Sequence, residues 1–211
     1  MAEKRRSMVV RQLEHRGIRD PRVLDAMNRI PRELFVPEDQ RAGAYEDNPI
    51  GIGFDQTISQ PYMTALMCES LELAGHESVL EVGSGSGYHA AVLAMLAAQV
   101  WSIEIVPELA EQAKRNLFEA GIANVRVVCG DGSLGYPEAA PYDAISVAAA
   151  APDVPRALLG QLRDPGRMAI PVGSRGDQDL TVVTKRNGHI GRRVPTMCRF
   201  VPLRGEQGWK D

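Results

Sequence analysis

The chain has 211 residues, of which 44% are apolar, and a formal net charge of −3 at pH 7. This length suits one domain with a sizeable core and is short for two domains. The acidic balance, with a sequence pI of about 5.9, argues against a nucleic-acid partner, because proteins that depend on counterion release usually carry a basic excess.

The first 75 residues predict helices and one long loop. Asp20-Pro21 is typical of an N-cap followed by the first residue of a helix. The segment Arg41–Gln60 has no sustained period, so we predict an irregular loop, and long loops in compact domains are often functional. It runs into Ser59-Gln60-Pro61, which resembles the start of another helix. The predicted helices are Ser7–Arg16, Pro21–Arg29 and about Ser59–Leu73.

From Ser78 onward, short β-rich runs alternate with long helical stretches. This alternation predicts a doubly wound, Rossmann-like α/β fold: a mostly parallel sheet with helices on both faces. Asn187-Gly188 favours a type I′ turn between Leu180–Lys185 and Ile190–Leu203, so we expect an antiparallel hairpin at the C-terminal end. The other predicted strands are Ser78–Val82, Val100–Ile105, Val125–Cys129, Asp143–Ala148 and Met168–Val172. The predicted helices among them are His89–Ala98, Pro107–Ala120 and Val154–Leu162.

The strand Ser78–Val82 runs directly into a glycine-rich turn, Gly83-Ser84-Gly85-Ser86-Gly87. Glycines let the chain turn sharply and let a ligand approach the backbone without interference from a Cβ atom. A position between an apolar strand and a helix makes this pattern a predicted nucleotide site. A dinucleotide fingerprint needs Gly or Ala where Tyr88 stands, so S-adenosylmethionine fits better.

Acidic residues near the ends of three successive strands favour the same cofactor. Glu81 suits a cationic amino group and sulfonium, and Glu104 can accept hydrogen bonds from ribose hydroxyls of either cofactor. Asp131, in Gly130-Asp131-Gly132, can accept from the adenine amino group, although Asp-Gly is also typical of a plain turn. Open α/β sheets bind ligands at the carboxyl ends of their strands, so the three acids together are more specific than any one.

The loop after the fourth strand, Val147–Pro152, bears on the methyl acceptor. It holds no aromatic residue to stack a base and no obvious general base. A substrate carboxylate needs no base, because with a pKa of about 3.3–4.3 it is already ionised at pH 7. It needs alignment with the methyl donor and a hydrogen-bond donor, which Ser59 can provide. Taken by itself, Ser59 is more typical of a plain helix N-cap.

Several motifs resemble the protein-L-isoaspartate O-methyltransferase family, over about residues 8–209. The most specific is Gln56-Thr57-Ile58-Ser59-Gln60-Pro61, which is similar to the family signature Gly-Gln-Thr-Ile-Ser-x-Pro. Asp55 stands where the family usually has Gly, and Ala148 where many members have Thr, which bears on substrate preference more than on reaction class. The other similar segments are Ile30–Pro37, Val79–Tyr88, Gly130–Gly132, Ala140–Ile145, Ala149–Pro152, Ile170–Gly173, Arg199–Leu203 and Gly205–Trp209.

The resemblance implies methyl transfer from S-adenosylmethionine to the free α-carboxyl of L-isoaspartyl residues, with D-aspartyl as a further acceptor, in damaged proteins and peptides. The ester then collapses to a succinimide, part of which returns to L-aspartate. Ser59 carries over as the catalytic serine. The implied cofactor-binding residues are Gln56, Thr57, Ile58, Glu81, Gly83, Ser84, Gly85, Glu104, Ile105, Gly130, Asp131 and Gly132. The implied substrate-binding residues are Ser59, Ala149, Ala150, Ala151, Phe200, Val201 and Pro202.

Cysteine usage and apolar runs indicate the setting. The three cysteines are far apart, and no Cys-x-x-Cys occurs, which predicts free thiols in a reducing compartment and no metal site. The longest apolar run, Ala90–Ala98, has nine residues and is too short to span a membrane. We therefore expect a cytoplasmic monomer with no membrane or nucleic-acid partner. We divide its single domain 1–211 into N-terminal helices with the active-site loop (1–75), a cofactor-binding core (76–173) and a C-terminal hairpin with a substrate-side segment (174–211).

Three other functions stay open on the sequence alone. A methyltransferase acting on RNA or a small molecule has one supporting feature, the locally basic segment Val172–Asp211. A dinucleotide-dependent oxidoreductase is disfavoured by Tyr88. A binding module without catalysis is disfavoured because it would have no use for the acids and Ser59.

Overall fold

A computed structural model of the chain describes residues 1–210. Its N-terminal region is helical, as predicted. Helix α1 (Ala2–Met8) continues through π-helical and 3-10 turns until Gly17, which takes a left-handed φ of 99°. Helix α2 (Pro21–Arg29) begins after Asp20, whose side chain accepts a hydrogen bond from the Arg22 amide at 2.8 Å. The predicted N-cap is therefore confirmed.

The prediction of an irregular loop over Arg41–Gln60 is wrong, because its second half forms an antiparallel hairpin. Strand β1 (Ile50–Gly53) pairs with strand β2 (Gln56–Ile58). Between them, Phe54 and Asp55 take φ values of 54° and 57°, the left-handed pair that a type I′ turn requires. The strands are too short to show a period in the sequence, and the turn lacks the usual Asn-Gly, so no pattern indicated the hairpin.

Helix α3 (Pro61–Leu71) begins too late for Ser59 to be its N-cap. Gln60 occupies the N-cap position, and no side chain caps this end of the helix. The interpretation of Ser59 as a plain helix cap is therefore wrong, because its hydroxyl does not cap the helix. The helix ends at Leu71, before the predicted Leu73, where Glu72 takes a left-handed φ of 50°.

Seven strands form one sheet in the order β5-β4-β3-β6-β7-β8-β9. Neighbouring strands from β5 to β7 are parallel, and β8 and β9 add an antiparallel hairpin at one edge. The predicted fold class is confirmed, and the order of the last strands is settled. The strands are β3 (Ser78–Val82), β4 (Gln99–Glu104), β5 (Val125–Cys129), β6 (Tyr142–Val147), β7 (Leu162–Gly173), β8 (Gln178–Arg186) and β9 (His189–Cys198).

Apolar layers cover both faces of the sheet. Along β3, Val79 belongs to one buried cluster while Leu80 and Val82 belong to the other, as the two-residue period of a strand requires. The first cluster packs the N-terminal helices with α3, α4 (Tyr88–Ala94) and α5 (Pro107–Glu119), and the second packs α6 (Arg156–Gln161). With both faces covered, the carboxyl ends of the parallel strands remain for a ligand.

The predicted strand Ile190–Leu203 is too long, because β9 ends at Cys198. The chain then leaves the sheet edge and lies against the loop that follows β6. Ala150 donates its amide to Val201 O, and Leu203 donates to Ala150 O, both at 2.8 Å. The β-rich composition of this segment therefore serves pairing with that loop, and the segment forms one wall of the cleft at the strand ends.

Candidate active site

Three adjoining cavities open at the carboxyl ends of β3, β4 and β6. The central cavity is lined by Gln56, Thr57, Ile58, Ser59, Thr64, Gly83, Ser84, Gly85, Ser86, Tyr88, His89, Glu104, Ala148 and Val201. The inner cavity is lined by Gln56, Val82, Gly83, Ile103, Glu104, Ile105, Gly132, Ala149, Pro202, Leu203 and Arg204. The outer cavity is lined by Pro49, Thr57, Ser59, Gln60, Met63, Ala148, Arg199, Phe200 and Val201.

Shared walls join the three cavities into one cleft. The central and inner cavities have in common Gln56, Gly83 and Glu104. The central and outer cavities have in common Thr57, Ser59, Ala148 and Val201. Ser59 therefore lies where two compartments meet, in the position expected of a residue that contacts one ligand from each.

The glycine-rich turn forms the floor of the central cavity. Gly83, Gly85 and Gly87 take φ values of 90°, 53° and 93°, which side chains rarely allow. A Cβ atom on Gly85 would lie 3.2 Å from Ile52 Cδ1, so the β1–β2 hairpin packs directly on the turn. Tyr88, which the dinucleotide fingerprint would not allow, is fully buried at the start of α4.

Glu104 is buried at the junction of the central and inner cavities. Its Oε2 accepts a hydrogen bond from the Gly85 amide at 2.9 Å, and its Oε1 accepts from the Val106 amide at 3.0 Å. The carboxylate thereby fixes the glycine turn. A carboxylate has about four acceptor positions, so two remain for a ligand, which suits the predicted contact with ribose hydroxyls.

Glu81 lies beneath the cleft and lines none of the three cavities. The Ser102 hydroxyl donates to its carboxylate, and 2.5 Å separates the hydroxyls of Ser102 and Ser84. Burial, reinforced by the negative charge of Glu104, raises the pKa of Glu81 to about 8. The structure therefore places Glu81 behind Ser84, away from the direct ligand contact that the sequence predicted.

Three buried polar side chains on the wall of the central cavity are not among the individually predicted site residues. Thr64 Oγ1, Ser86 Oγ and His89 Nδ1 have no hydrogen-bond partner within residues 1–210. Burial lowers the pKa of His89 to about 4, so its ring is neutral at pH 7. Buried polar atoms without partners are costly unless a ligand or water completes them. Ser86 lies in the predicted glycine-rich turn, whereas no sequence pattern marks Thr64 or His89, which join it only in the fold.

Asp131 engages the C-terminal segment and lies outside the residues that line the cleft. Its Oδ1 accepts from the Ser133 amide at 2.9 Å and hydroxyl at 2.7 Å, and its Oδ2 accepts from the Glu206 amide at 2.8 Å. Its neighbour Gly132 does line the inner cavity, and a Cβ there would lie 2.5 Å from Val82 Cγ1. The turn therefore needs glycine for packing.

The alanine loop after β6 contributes to the cleft with only part of its length. Ala148 and Ala149 line cavities, whereas Ala150 and Ala151 are buried and use their backbones for anchoring. Besides its contacts to the chain after β9, Ala150 O accepts from Trp209 Nε1 at 3.0 Å. Ala150 and Ala151, which the sequence predicts to contact the substrate, therefore do not line the cleft.

Most of the predicted site is nevertheless brought together. The predicted residues that line the cleft are Gln56, Thr57, Ile58, Ser59, Gly83, Ser84, Gly85, Glu104, Ile105, Gly132, Ala149, Phe200, Val201 and Pro202. The predicted residues that do not line it are Glu81, Gly130, Asp131, Ala150 and Ala151.

Within residues 1–210, no group of three or more His, Cys, Asp and Glu residues is arranged to hold a metal ion. Across the same residues, none of the helices has both the length and the apolar character needed to cross a membrane. Cys68, Cys129 and Cys198 are free thiols.

Known sequences show the same pattern over nearly the whole chain. Residues 3–208 match the family model described as protein-L-isoaspartate(D-aspartate) O-methyltransferase. A Marinobacter nauticus protein-L-isoaspartate O-methyltransferase is 56% identical over 99% of this chain and 96% of its own length. A Methanoculleus marisnigri protein-L-isoaspartate O-methyltransferase is 52% identical over 98% and 94%.

Solved structures agree with the sequence comparison and lend no support to an RNA or small-molecule acceptor. A protein-L-isoaspartate O-methyltransferase superposes with a TM-score of 0.86 and 33% identity, over 99% of this chain and 67% of the other. A Plasmodium falciparum protein provisionally assigned to the same activity, solved with S-adenosyl-L-homocysteine, gives a TM-score of 0.80 and 27% identity, over 95% and 98%. The chain belongs to the protein-L-isoaspartate(D-aspartate) O-methyltransferase family.

Proposed function

We propose that this cleft carries out the reaction of the family, with Ser59 positioning the acceptor. The chain transfers a methyl group from S-adenosylmethionine to the free α-carboxyl of isoaspartyl residues in damaged proteins and peptides. The ester then closes to a succinimide without further catalysis, and part of it hydrolyses to L-aspartate. The observation that carries the proposal is the place of Ser59 on the wall shared by the central and outer cavities.

The central and inner cavities fit S-adenosylmethionine. The orphaned polar atoms of Thr64, Ser86 and His89 would pair with its ammonium and carboxylate groups, and Glu104 with its ribose hydroxyls. Ile105, which is 40% exposed on the inner cavity wall, offers an apolar surface to the adenine ring. When bound, the cofactor supplies an electrophilic methyl group on a positively charged sulfur.

The remaining predicted cofactor residues would act around this core. The backbone of Gly83, Ser84 and Gly85 permits close approach, and Gln56, Thr57 and Ile58 cover the cavity as a lid. Gly130, Asp131 and Gly132 would border the adenine. Asp131 has one acceptor position left after its three hydrogen bonds, enough for an adenine amino group. Glu81 would support the cofactor site indirectly, through its hydrogen bond with Ser102 and the contact of Ser102 with Ser84.

The outer cavity suits the acceptor peptide. An ionised carboxylate needs no general base, so the requirement is alignment with the methyl group at the shared wall. The Ser59 hydroxyl would donate to one carboxylate oxygen and leave the other directed at the central cavity. Phe200 and Val201 line the peptide side. Ala150 supports Val201 from behind through a backbone hydrogen bond, whereas Ala149 and Pro202 line the inner cavity and Ala151 is hydrogen-bonded to β7. We further propose a cytoplasmic, monomeric, single-domain enzyme; the three free thiols support the cytoplasmic location.

A pair of peptides that differ in a single linkage tests the function. Each peptide is incubated with the protein and methyl-labelled S-adenosylmethionine, one with a normal aspartyl bond and the other with an isoaspartyl bond. Base-labile label on the isoaspartyl peptide alone is the expected result. Label on both peptides, or on neither, would contradict the proposed function.

A further inference from the structure

Arg199 is the charged residue on the wall of the outer cavity, and the other residues that line this cavity are uncharged. Its side chain is exposed. In residues 1–210, the salt bridges of arginine belong to Arg16, Arg29, Arg163, Arg167 and Arg192. Arg199 is not among them, and no Asp or Glu lines the outer cavity, so the five N–H donors of its guanidinium have no competing carboxylate there.

The backbone that carries Arg199 is fixed on the side of the protein. The Phe200 amide donates to Gln178 Oε1 at 2.8 Å, and Gln178 Nε2 donates to Ser174 O at 2.8 Å. Gln178 is buried, with 2% of its surface exposed. On the other side, Val201 O accepts the Ala150 amide at 2.8 Å. Arg199 therefore projects from a segment that the fold holds in place, unlike an arginine on a free loop.

From this arrangement we infer that Arg199 binds the α-carboxylate of the acceptor and distinguishes it from the methylated product. The inference rests on the proposed function. Arginine matches the geometry of a carboxylate with two parallel hydrogen bonds. Ser59 lies on the same cavity wall, so the two side chains can hold the carboxylate from two directions.

Methyl transfer changes the charge of the group that Arg199 would bind. A bond forms between a carboxylate oxygen and the methyl carbon, and the bond from that carbon to sulfur breaks with its electrons left on sulfur. The anionic carboxylate and the cationic sulfonium become a neutral ester and a neutral thioether, with no proton transferred. Arg199 therefore has an anionic partner before transfer and a neutral one afterwards, which favours binding of substrate and release of product.

Two matched peptides measure the contact at equilibrium. One carries the isoaspartyl α-carboxylate, and the other carries an uncharged α-carboxamide of the same shape; both are titrated into protein saturated with S-adenosyl-L-homocysteine. We expect the unaltered chain to bind the carboxylate peptide about 5- to 20-fold more tightly, a range set by charged hydrogen bonds at an exposed site. Arg199→Gln should remove the preference, and Arg199→Lys should keep part of it.

Arg193→Gln is the matched control, because Arg193 is exposed on β9 and lies outside the three cavities. It should keep the full preference for the carboxylate peptide. In turnover, Arg199→Gln should raise KM more than it lowers kcat. An unchanged preference in Arg199→Gln, or none in the unaltered chain, overturns the role of Arg199. If the unaltered chain also fails to methylate the isoaspartyl peptide, the proposed function itself is wrong.

Discussion

The two halves of the cleft are built in different ways. The central and inner cavities, the proposed cofactor half, are built mainly on consecutive strand ends and one glycine turn, which Glu104 joins by accepting hydrogen bonds from the Gly85 and Val106 amides. The outer cavity, the proposed acceptor half, joins Ser59 before α3 to Val201 after β9, and Val201 is held by the loop after β6. Sequence motifs at the strand ends therefore indicate much of the first half, whereas the second brings together segments that are far apart in the chain.

This difference predicts different sensitivities. Substitutions in the cofactor half should change cofactor affinity or the stability of the sheet core. Substitutions in the acceptor half should change peptide affinity or the methyl-transfer rate and leave cofactor affinity in place.

The largest effect is expected at Glu104. Glu104→Gln replaces a charged acceptor by an amide whose NH2 group faces a backbone donor, so the glycine turn and the ribose contact both weaken. Hydrogen bonds to charged groups are worth about 1.5–3 kcal/mol each, so affinity for S-adenosyl-L-homocysteine should fall about 100-fold. Isothermal titration calorimetry measures it. Glu108→Gln, at the exposed start of α5, is the control and should bind S-adenosyl-L-homocysteine normally. Equal affinity in both variants would contradict a role of Glu104 in cofactor binding.

Glu81 should give the next effect, through pH. Its folded-state pKa of about 8 lies above the ordinary value of 4.5, so the folded protein holds a proton that the unfolded chain releases between these values. The stability that protonated Glu81 contributes is thus full below about pH 4.5 and is lost as the pH rises towards 8. Glu81→Gln removes this loss and should raise the unfolding free energy at pH 8 by roughly 1–3 kcal/mol, with less gain at pH 5.

Urea denaturation of the cofactor-free protein at the two pH values measures this difference. A gain that is equal at pH 5 and pH 8 would mean that Glu81 is ionised throughout, contrary to its buried position beneath Ser84.

The smallest effect in this series is expected at Gln178, which supports the acceptor half from behind. Gln178→Ala leaves the Phe200 amide without its partner and loosens the segment that follows β9. KM for an isoaspartyl peptide should rise about fivefold, since a neutral hydrogen bond contributes roughly 1 kcal/mol. Affinity for S-adenosyl-L-homocysteine should not change. Gln99→Ala, at the start of β4, is the control; an equal rise in KM there would contradict a specific role.

Glycine turns and strand-end acids are local signals, and the sequence correctly brings Gly83, Gly85 and Glu104 to the cleft. It does not reveal that other acids near the strand ends also form hydrogen bonds within the protein. Glu81 satisfies a buried serine pair, and Asp131 holds the Glu206 amide. The partner that each acid meets depends on which distant segments fold against the strand end. No local sequence pattern shows this. The roles of these two acids in cofactor binding stay predictions.

The acceptor half is less accessible to sequence reasoning. The Thr-Ile-Ser segment is recognisable by its resemblance to a family, whereas no pattern predicts its hairpin, because the turn at Phe54-Asp55 uses left-handed residues other than glycine. In the cofactor half, too, Thr64 and His89 come from two different helices, and only packing brings their unpartnered atoms to the central cavity. Arg199 lay within a recognised motif, but its place on the cavity wall follows from the end of β9 at Cys198.

We propose that Ser59 acts on the acceptor at the junction of the two halves. Ser59→Ala in a single-turnover methylation assay, with cofactor and isoaspartyl peptide both saturating, tests it most directly. The rate of methyl transfer should fall about 10- to 100-fold because the carboxylate loses its alignment. Affinity for S-adenosyl-L-homocysteine and thermal stability should stay unchanged. A full rate in Ser59→Ala, or a loss of rate that parallels lost cofactor affinity, would contradict the claim.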